Sequence, residues 1–254
     1  MQLAFGAGAL WGNRTDVTGS GIGPDQFGIL QDVQIDWDWT TRELWGQFQF
    51  PVDIARGQGK IIGKAKFARI FGAIYGDLFF GQTAATGQLT VSENEAASVP
   101  ATNPYTVTVA NAANYVDDLG IFYATGAAAG NRFTRITTPS AAGQYSVNTA
   151  TGIYTFAAAD AGASPLISYL YNKSTGKKLV LTNQLMGYTP TFKATFYTSK
   201  TTQGAPAGLA LVLNACTATK LSLPTKVNDY EIQEFDFSAF ADATGAIGTL
   251  SVNE

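Results

Sequence analysis

The amino-acid sequence predicts a mainly β protein with one short helix, in which a small β-sandwich is inserted into a discontinuous host domain. Three observations predict it. Apolar and polar residues alternate in short runs along most of the chain, the period of half-buried strands. Helical spacing of apolar residues occurs in a single segment, 65–80. Residue types are also partitioned: all ten lysines stand at Lys60, Lys64, Lys66 or from Lys173 onward, and all four tryptophans precede residue 46.

Taken in order, residues 1–28 are glycine-rich with little periodicity and read as an extended N-terminal arm. Its apolar anchors Phe5, Leu10 and Trp11 would gain by docking on another surface. Val33-Gln-Ile-Asp-Trp-Asp-Trp39 alternates strictly, which predicts a strand whose Trp37 and Trp39 face is most simply core. Arg42–Phe50 is a second strand, closed by Pro51, which has no N–H for a ladder. Asp53–Gly59 reads as a loop, and Lys60–Lys66 re-enters strand. Over 65–80, Phe67, Ile70, Phe71, Ile74, Tyr75 and Leu78 recur at helical spacing, while Gly72 and Gly76 suit close packing on a sheet.

Residues 85–171 form the insert. Runs at 104–109, 120–123, 133–136, 144–147, 152–156 and 166–169 have the spacing of a small β-sandwich. The insert holds no lysine before its end and carries Glu93, Glu95, Asp117, Asp118 and Asp160 against Arg132 and Arg135, the whole −3 of the chain. Its flanks, 84–87 and 172–176, read as linkers rich in turn-forming residues. The host is therefore 1–84 with 172–254. Its later strands are expected at 178–182, 191–197, 208–213, 219–223, 229–237 and 248–252, with a bulge between Ile232 and Phe235.

Composition excludes much chemistry. There is no histidine, which removes the commonest general base and the His-containing metal sites. The one cysteine, Cys216, removes intramolecular disulfides and reads as a small buried apolar residue. Charged residues are only 14% and the net charge is −3, so nothing marks a nucleic-acid-binding surface. The N-terminus lacks the pattern of a signal peptide, and no apolar run reaches about 18 residues. The expectation is a chain folded in a reducing cytoplasm without membrane insertion. Asp36 and Asp38 share a strand face about 7 Å apart; an acid–base pair or cation site is conceivable, and the polar side of an amphipathic strand is the plainer reading. Asp117-Asp118 reads as a turn. Arg56-Gly-Gln-Gly-Lys60 lacks the spacing of a phosphate loop and reads as a hairpin tip whose two cations could contact a neighbouring subunit.

A Gly-rich arm, a long hairpin over Leu44–Ile62, one short helix and many strands resemble the tail tube (major tail) proteins of long-tailed bacteriophages. The strings that carry the resemblance are Glu43-Leu-Trp-Gly-Gln-Phe-Gln-Phe-Pro-Val-Asp53, Gly57-Gln-Gly-Lys60 and Phe237-Ser-Ala-Phe-Ala-Asp-Ala-Thr-Gly-Ala-Ile-Gly-Thr-Leu-Ser251. Val107–Ala113, Gly143–Val147 and Tyr154–Phe156 look like an add-on domain of phage virion proteins. The resemblance implies a β-sandwich or partly closed barrel that assembles, through itself, into hexameric rings stacked as a tube for DNA ejection. It implies virion tail location after assembly in the bacterial cytoplasm, with the insert on the outside. Its partners would be other tail proteins (sheath if contractile, tape measure, baseplate, terminator), with DNA passing unbound. Phe5, Leu10, Trp11, Trp45, Phe48, Phe50, Asp53, Arg56 and Lys60 would make inter-subunit and inter-ring contacts. No catalytic, metal or cofactor-binding residue is expected, and no cofactor. Removing residues 1–28 is expected to leave a folded monomer that assembles poorly. The competing classes are a capsid or baseplate component, a carbohydrate-binding surface protein using insert Tyr and Asp residues, and a carboxylate enzyme using Asp36 and Asp38.

Overall fold

The structure, a computed structural model, describes residues 6–17, 23–69, 72, 74–202, 205–225 and 227–252. Contacts divide the chain into two compact units, Met1–Ala84 with Leu179–Glu254, and Ala85–Lys178. The first unit begins with β1 (Ala9–Arg14), β2 (Asp25–Gln26), β3 (Leu30–Trp45) and β4 (Pro51–Phe67). The second contains β5 (Ala85–Ala96), β6 (Thr106–Thr108), β7 (Tyr115–Tyr123), β8 (Thr134–Arg135), β9 (Gln144–Asn148), β10 (Ile153–Phe156) and β11 (Pro165–Lys178). The chain then returns to the first unit with β12 (Phe192–Thr202), β13 (Ala205–Ser222), β14 (Gln233–Phe240) and β15 (Gly248–Val252). The fold is mainly β, as the alternation predicts, and none of its sheets closes into a barrel.

In the first unit one sheet runs β2-β1-β12-β13-β14-β4-β3, with β15 added on β13. Alternation sends Ile61, Ala65 and Phe67 of β4 inward beside Phe235 and Phe237 of β14. Phe235 is the hub of this core: Phe27 meets it edge-on at 5.2 Å and Phe192 at 6.0 Å, and Phe27 also meets Phe67 at 5.3 Å. Such edge-to-face pairs add about 0.5–1.5 kcal/mol each beyond area burial. Large side chains face small ones across the ladder, with Phe237 opposite Gly63 and Phe235 opposite Ala65. Gln233 is buried, and the Tyr75 hydroxyl donates to its Oε1, which satisfies a polar group that would otherwise be costly there. Cys216 is fully buried, and burial pushes its thiol up to about 12, so it behaves as an inert apolar residue.

Where β3, β4, β14 and β13 run side by side the opposite face is polar, and each of these four strands presents one sign of charge there. Asp32 and Asp36 on β3 flank Lys64 and Lys66 on β4; these face Glu234 and Asp236 on β14, which face Lys220 on β13. Lys66 and Lys220 both approach Glu234, at 3.7 and 3.4 Å.

The second unit packs a four-stranded sheet, β6-β10-β9-β8, and a three-stranded sheet, β5-β11-β7, around one core. Tyr145, Tyr154 and Phe156 come from the first sheet, and Ile121, Ile167 and Tyr169 from the second. Segments 84–87 and 172–176 are not linkers. β11 continues to Lys178, with Lys177 opposite Thr86 and Lys178 opposite Ala85, so the second boundary falls after 178 instead of 171.

Several other expectations change. The arm does not stand free: β1 pairs with β12 along its length, Leu10 is 1% exposed in the core, and Phe27 plugs the same core. The helix shrinks to a π-type turn, Ile74–Phe80, because Ala65 and Phe67 alternate inward at the end of β4; Ile70 and Phe71 lie outside the described residues. Gly12 on β1 leaves room for Leu78 of that turn. Residues 53–59 are strand, not loop. Gly57 and Gly59 are there to admit cross-strand side chains: a Cβ would lie 2.6 Å from Thr40 Oγ1 and 2.8 Å from Trp39 Nε1 respectively. Residues 179–190 are not strand, 208–213 and 219–223 join in the single β13, and β14 begins at Gln233 without the expected bulge. The bulge sits on β13, between Ala218 and Lys220.

Removing residues 1–28 is therefore expected to destabilise the first unit instead of sparing a folded monomer; a thermal melt that keeps the wild-type midpoint would contradict this. Gly63→Ala places a methyl group inside the Phe237 ring. It should cost about 1–3 kcal/mol in denaturant unfolding, the usual penalty of overpacking.

Candidate assembly surface

β3 and β4 pair from Leu30↔Phe67 to Trp45↔Pro51 and form one long ribbon. Its inner half is anchored, because β4 is also paired to β14 from Phe67 to Ile61. Beyond Ile61 that pairing ends, and among the described residues the side chains of the outer half of the ribbon are exposed. Leu44, Trp45, Val52 and Ile54 are exposed there, and the turn carries Phe48 and Phe50 at 73% and 79% exposure. Exposed apolar side chains clustered on one element mark an interaction surface. β3 is in addition an end strand of the sheet, with pairing on one side only among the described residues. An exposed strand edge of this length is a template for another chain.

At the junction of the two halves, Trp37 and Trp39 are each 43% exposed and stack with ring centres 6.4 Å apart. This corrects the expectation that their face is core: β14 pairs no further than Ala239↔Ile61, so its pairing stops short of Trp39, which stands opposite Gly59. Arg56 lies over the Trp39 ring at 4.8 Å, a cation–π contact. Trp37, Trp39, Lys60, Ile61, Phe240 and Ile247 line a groove of about 390 Å³.

The residues expected at inter-subunit contacts divide accordingly. Trp45, Phe48, Phe50, Asp53, Arg56 and Lys60 all lie on the ribbon and are exposed or rim the groove. Arg56 and Lys60 are not at a hairpin tip; they sit within β4, and the tip is the turn at 46–50. Leu10 is withdrawn from the set because it is buried in its own core. Trp11 is half-buried in β1, opposite Thr195 and Gln26, rather than on a free arm. Phe5 lies outside the described residues. Trp37, Trp39, Val52, Ile54, Phe240 and Ile247 were not anticipated. Apolar residues on both faces of 44–54 were the available signal, since a half-buried ribbon needs only one apolar face.

Asp36 accepts two bonds from Gln34 Nε2, at 3.0 and 2.9 Å, on an open strand face. Asp117 and Asp118 are in β7, not a turn. The Asp118 side chain is 4% exposed, and accepts the hydroxyls of Tyr145 at 2.6 Å and Tyr154 at 3.0 Å, with Arg135 at 3.7 Å. Glu95 accepts Tyr169 at 2.5 Å and Asp160 accepts Tyr123 at 2.5 Å. Four of the insert's tyrosines and three of its acids are thus committed to one another. Burial and the Asp160 bond push the Tyr123 hydroxyl up to about 12. Among the described residues no group of three or more His, Cys, Asp or Glu could hold a metal ion, and no helix is long and apolar enough to cross a membrane. Comparison with known protein families and with curated sequences gives no match.

One electrostatic feature lies where the N-terminal segment joins the sheet. Asp25, on β2, is pushed up to about 6, mainly by burial and further by the charge of Asp77 on the π-type turn. Its folded value lies above its unfolded one, so its contribution is fully present below the unfolded value near 4 and is lost as pH rises through about 6. Asp25→Asn should accordingly flatten the change in stability between pH 4 and 6 and raise Tm at pH 7. An unchanged pH profile of Tm would count against this account.

Proposed function

We propose that the chain is a structural, self-assembling virion protein of a phage tail tube, and that it has no catalytic activity of its own. The observation that carries the reading is the ribbon. It projects large apolar side chains that its own sheet does not cover, on a strand that is also a sheet edge. Copies joined around a ring by continued strand pairing lose their open edges, and ribbons laid on the neighbouring ring bury Phe48, Phe50 and their surroundings. The rings are hexameric by resemblance, stack into a tube, and conduct DNA at ejection while meeting other tail proteins at the ends and along the length. A capsid or baseplate place would use the same surfaces. The carbohydrate-binding alternative is weakened, because five insert tyrosines (Tyr115, Tyr123, Tyr145, Tyr154, Tyr169) have hydroxyls engaged internally.

Electron microscopy of the purified protein tests the reading: rings or tubes with a central bore are expected, and a persistent monomer under assembly-promoting conditions contradicts it. Phe48→Ser with Phe50→Ser should leave monomer Tm within about 1 °C, since both side chains are exposed and surface changes stay within about 0.5 kcal/mol. The same double variant should abolish or strongly reduce assembly by sedimentation.

A further inference from the structure

We infer that the second unit carries a binding groove for a neutral saccharide, at the place where β8 and β9 part. This goes beyond the tube reading and does not rest on it. β8 pairs with β9 only at Thr134↔Gln144 and Arg135↔Tyr145, followed by one bond from the Ile136 N–H to the Tyr145 carbonyl at 2.8 Å. There the groove opens. Arg135 and Thr137 of the departing chain, with Ser146 and Asn148 of β9 and Thr155 of β10, line a space of about 590 Å³. That volume lies within the range of small-molecule sites, about 300–1,000 Å³.

The lining selects the ligand. Thr137, Ser146 and Thr155 present hydroxyls that have no protein partner among the described residues. Asn148 accepts the Ala150 N–H through its Oδ1 at 3.0 Å, which leaves its Nδ2 as a donor at the groove. Arg135 is held by Asp118 at 3.7 Å, and Asp118 in turn accepts the Tyr145 and Tyr154 hydroxyls. The guanidinium therefore reaches the groove already oriented and already paired. Hydroxyls that both donate and accept, beside amide and guanidinium donors, match the hydroxyls and ring oxygen of a sugar. Other ligand classes fit less well. An anion would meet one cation that Asp118 has engaged. An apolar ligand would meet only Ile136 and Val147. An added peptide strand would have only Ser146, Val147 and Asn148 of β9 to pair with. Among the described residues no aromatic ring lines the groove, so binding at a single site is weak. The tyrosines engaged inside this unit take no part in it.

Saturation-transfer difference NMR on the full chain reads weak binding directly, with cellobiose, maltose, lactose and N,N′-diacetylchitobiose as probes. At least one of them should receive saturation. Ser146→Ala with Thr155→Val removes two groove hydroxyls with little change of volume and should lower that signal about fivefold or more. Its Tm should stay within about 1 °C, because neither hydroxyl bonds to the protein. Thr137→Ala, exposed and outside the strands, should lower the signal about twofold and gives an independent reading if the double variant unfolds. No signal from any of the four sugars overturns the inference. So does a signal that both variants leave unchanged, because the sugar then binds elsewhere. Inorganic phosphate that displaces the bound sugar at equal concentration overturns the assignment of a neutral ligand.

Discussion

The first unit depends on the aromatic contacts of Phe235. That ring receives Phe27 from the N-terminal segment and Phe192 from the strand that resumes after the insert, beside Phe67 from the base of the ribbon. Segments separated by more than two hundred positions in the chain are thus fixed by one side chain and its neighbours. The cluster also sets a limit. It can anchor only the half of the ribbon that lies beside β14, and the remaining half extends where no core residue reaches. The exposed surface is therefore a geometric consequence of where the core stops.

Much of the fold was legible in the sequence because strand alternation is local. Tyr145, Tyr154 and Phe156 alternate as they should, and so do Phe235 and Phe237. What the pattern does not encode is which layer covers an apolar face. Trp37 and Trp39 alternate as faithfully as Val33 and Ile35, yet two residues along the strand separate packed from open. Glycine misled twice, in opposite ways. Gly57 and Gly59 suggested a loop but accommodate Thr40 and Trp39 within a strand, and the Gly-rich start suggested a free arm although Gly12 is the seat of Leu78. The candidate contact residues on the ribbon came from the resemblance carried by the string around Pro51; Phe240 and Ile247 were not legible, since they reach the groove only through the long-range pairing of β14 and β15 with β13.

The two units solve the problem of polar atoms differently. The first keeps Asp32, Asp36, Lys64, Lys66, Lys220, Glu234 and Asp236 on one open face and its core almost purely apolar. The second buries tyrosines whose hydroxyls need acceptors, and supplies them with Asp118, Glu95 and Asp160. Charge-assisted bonds of this kind are stronger than neutral ones. The insert's negative charge is thus partly an internal requirement of its aromatic core.

The strand-by-strand charge pattern of the first sheet bears on how its strands find one another. Lys64 and Lys66 carry the same sign, as do Glu234 and Asp236, so sliding β4 by two residues along β14 would still set one lysine against a carboxylate, where the native alignment sets two. Electrostatics separates that misaligned sheet from the native one by a single exposed pair, worth little. Size separates them further: only in the native alignment does the Phe237 ring meet the one inward position of β4 that has no side chain, with Ala65 left to Phe235. Gly63 thus acts as a notch that indexes the strands, and the choice of alignment is made mainly by shape on the dry side of the sheet.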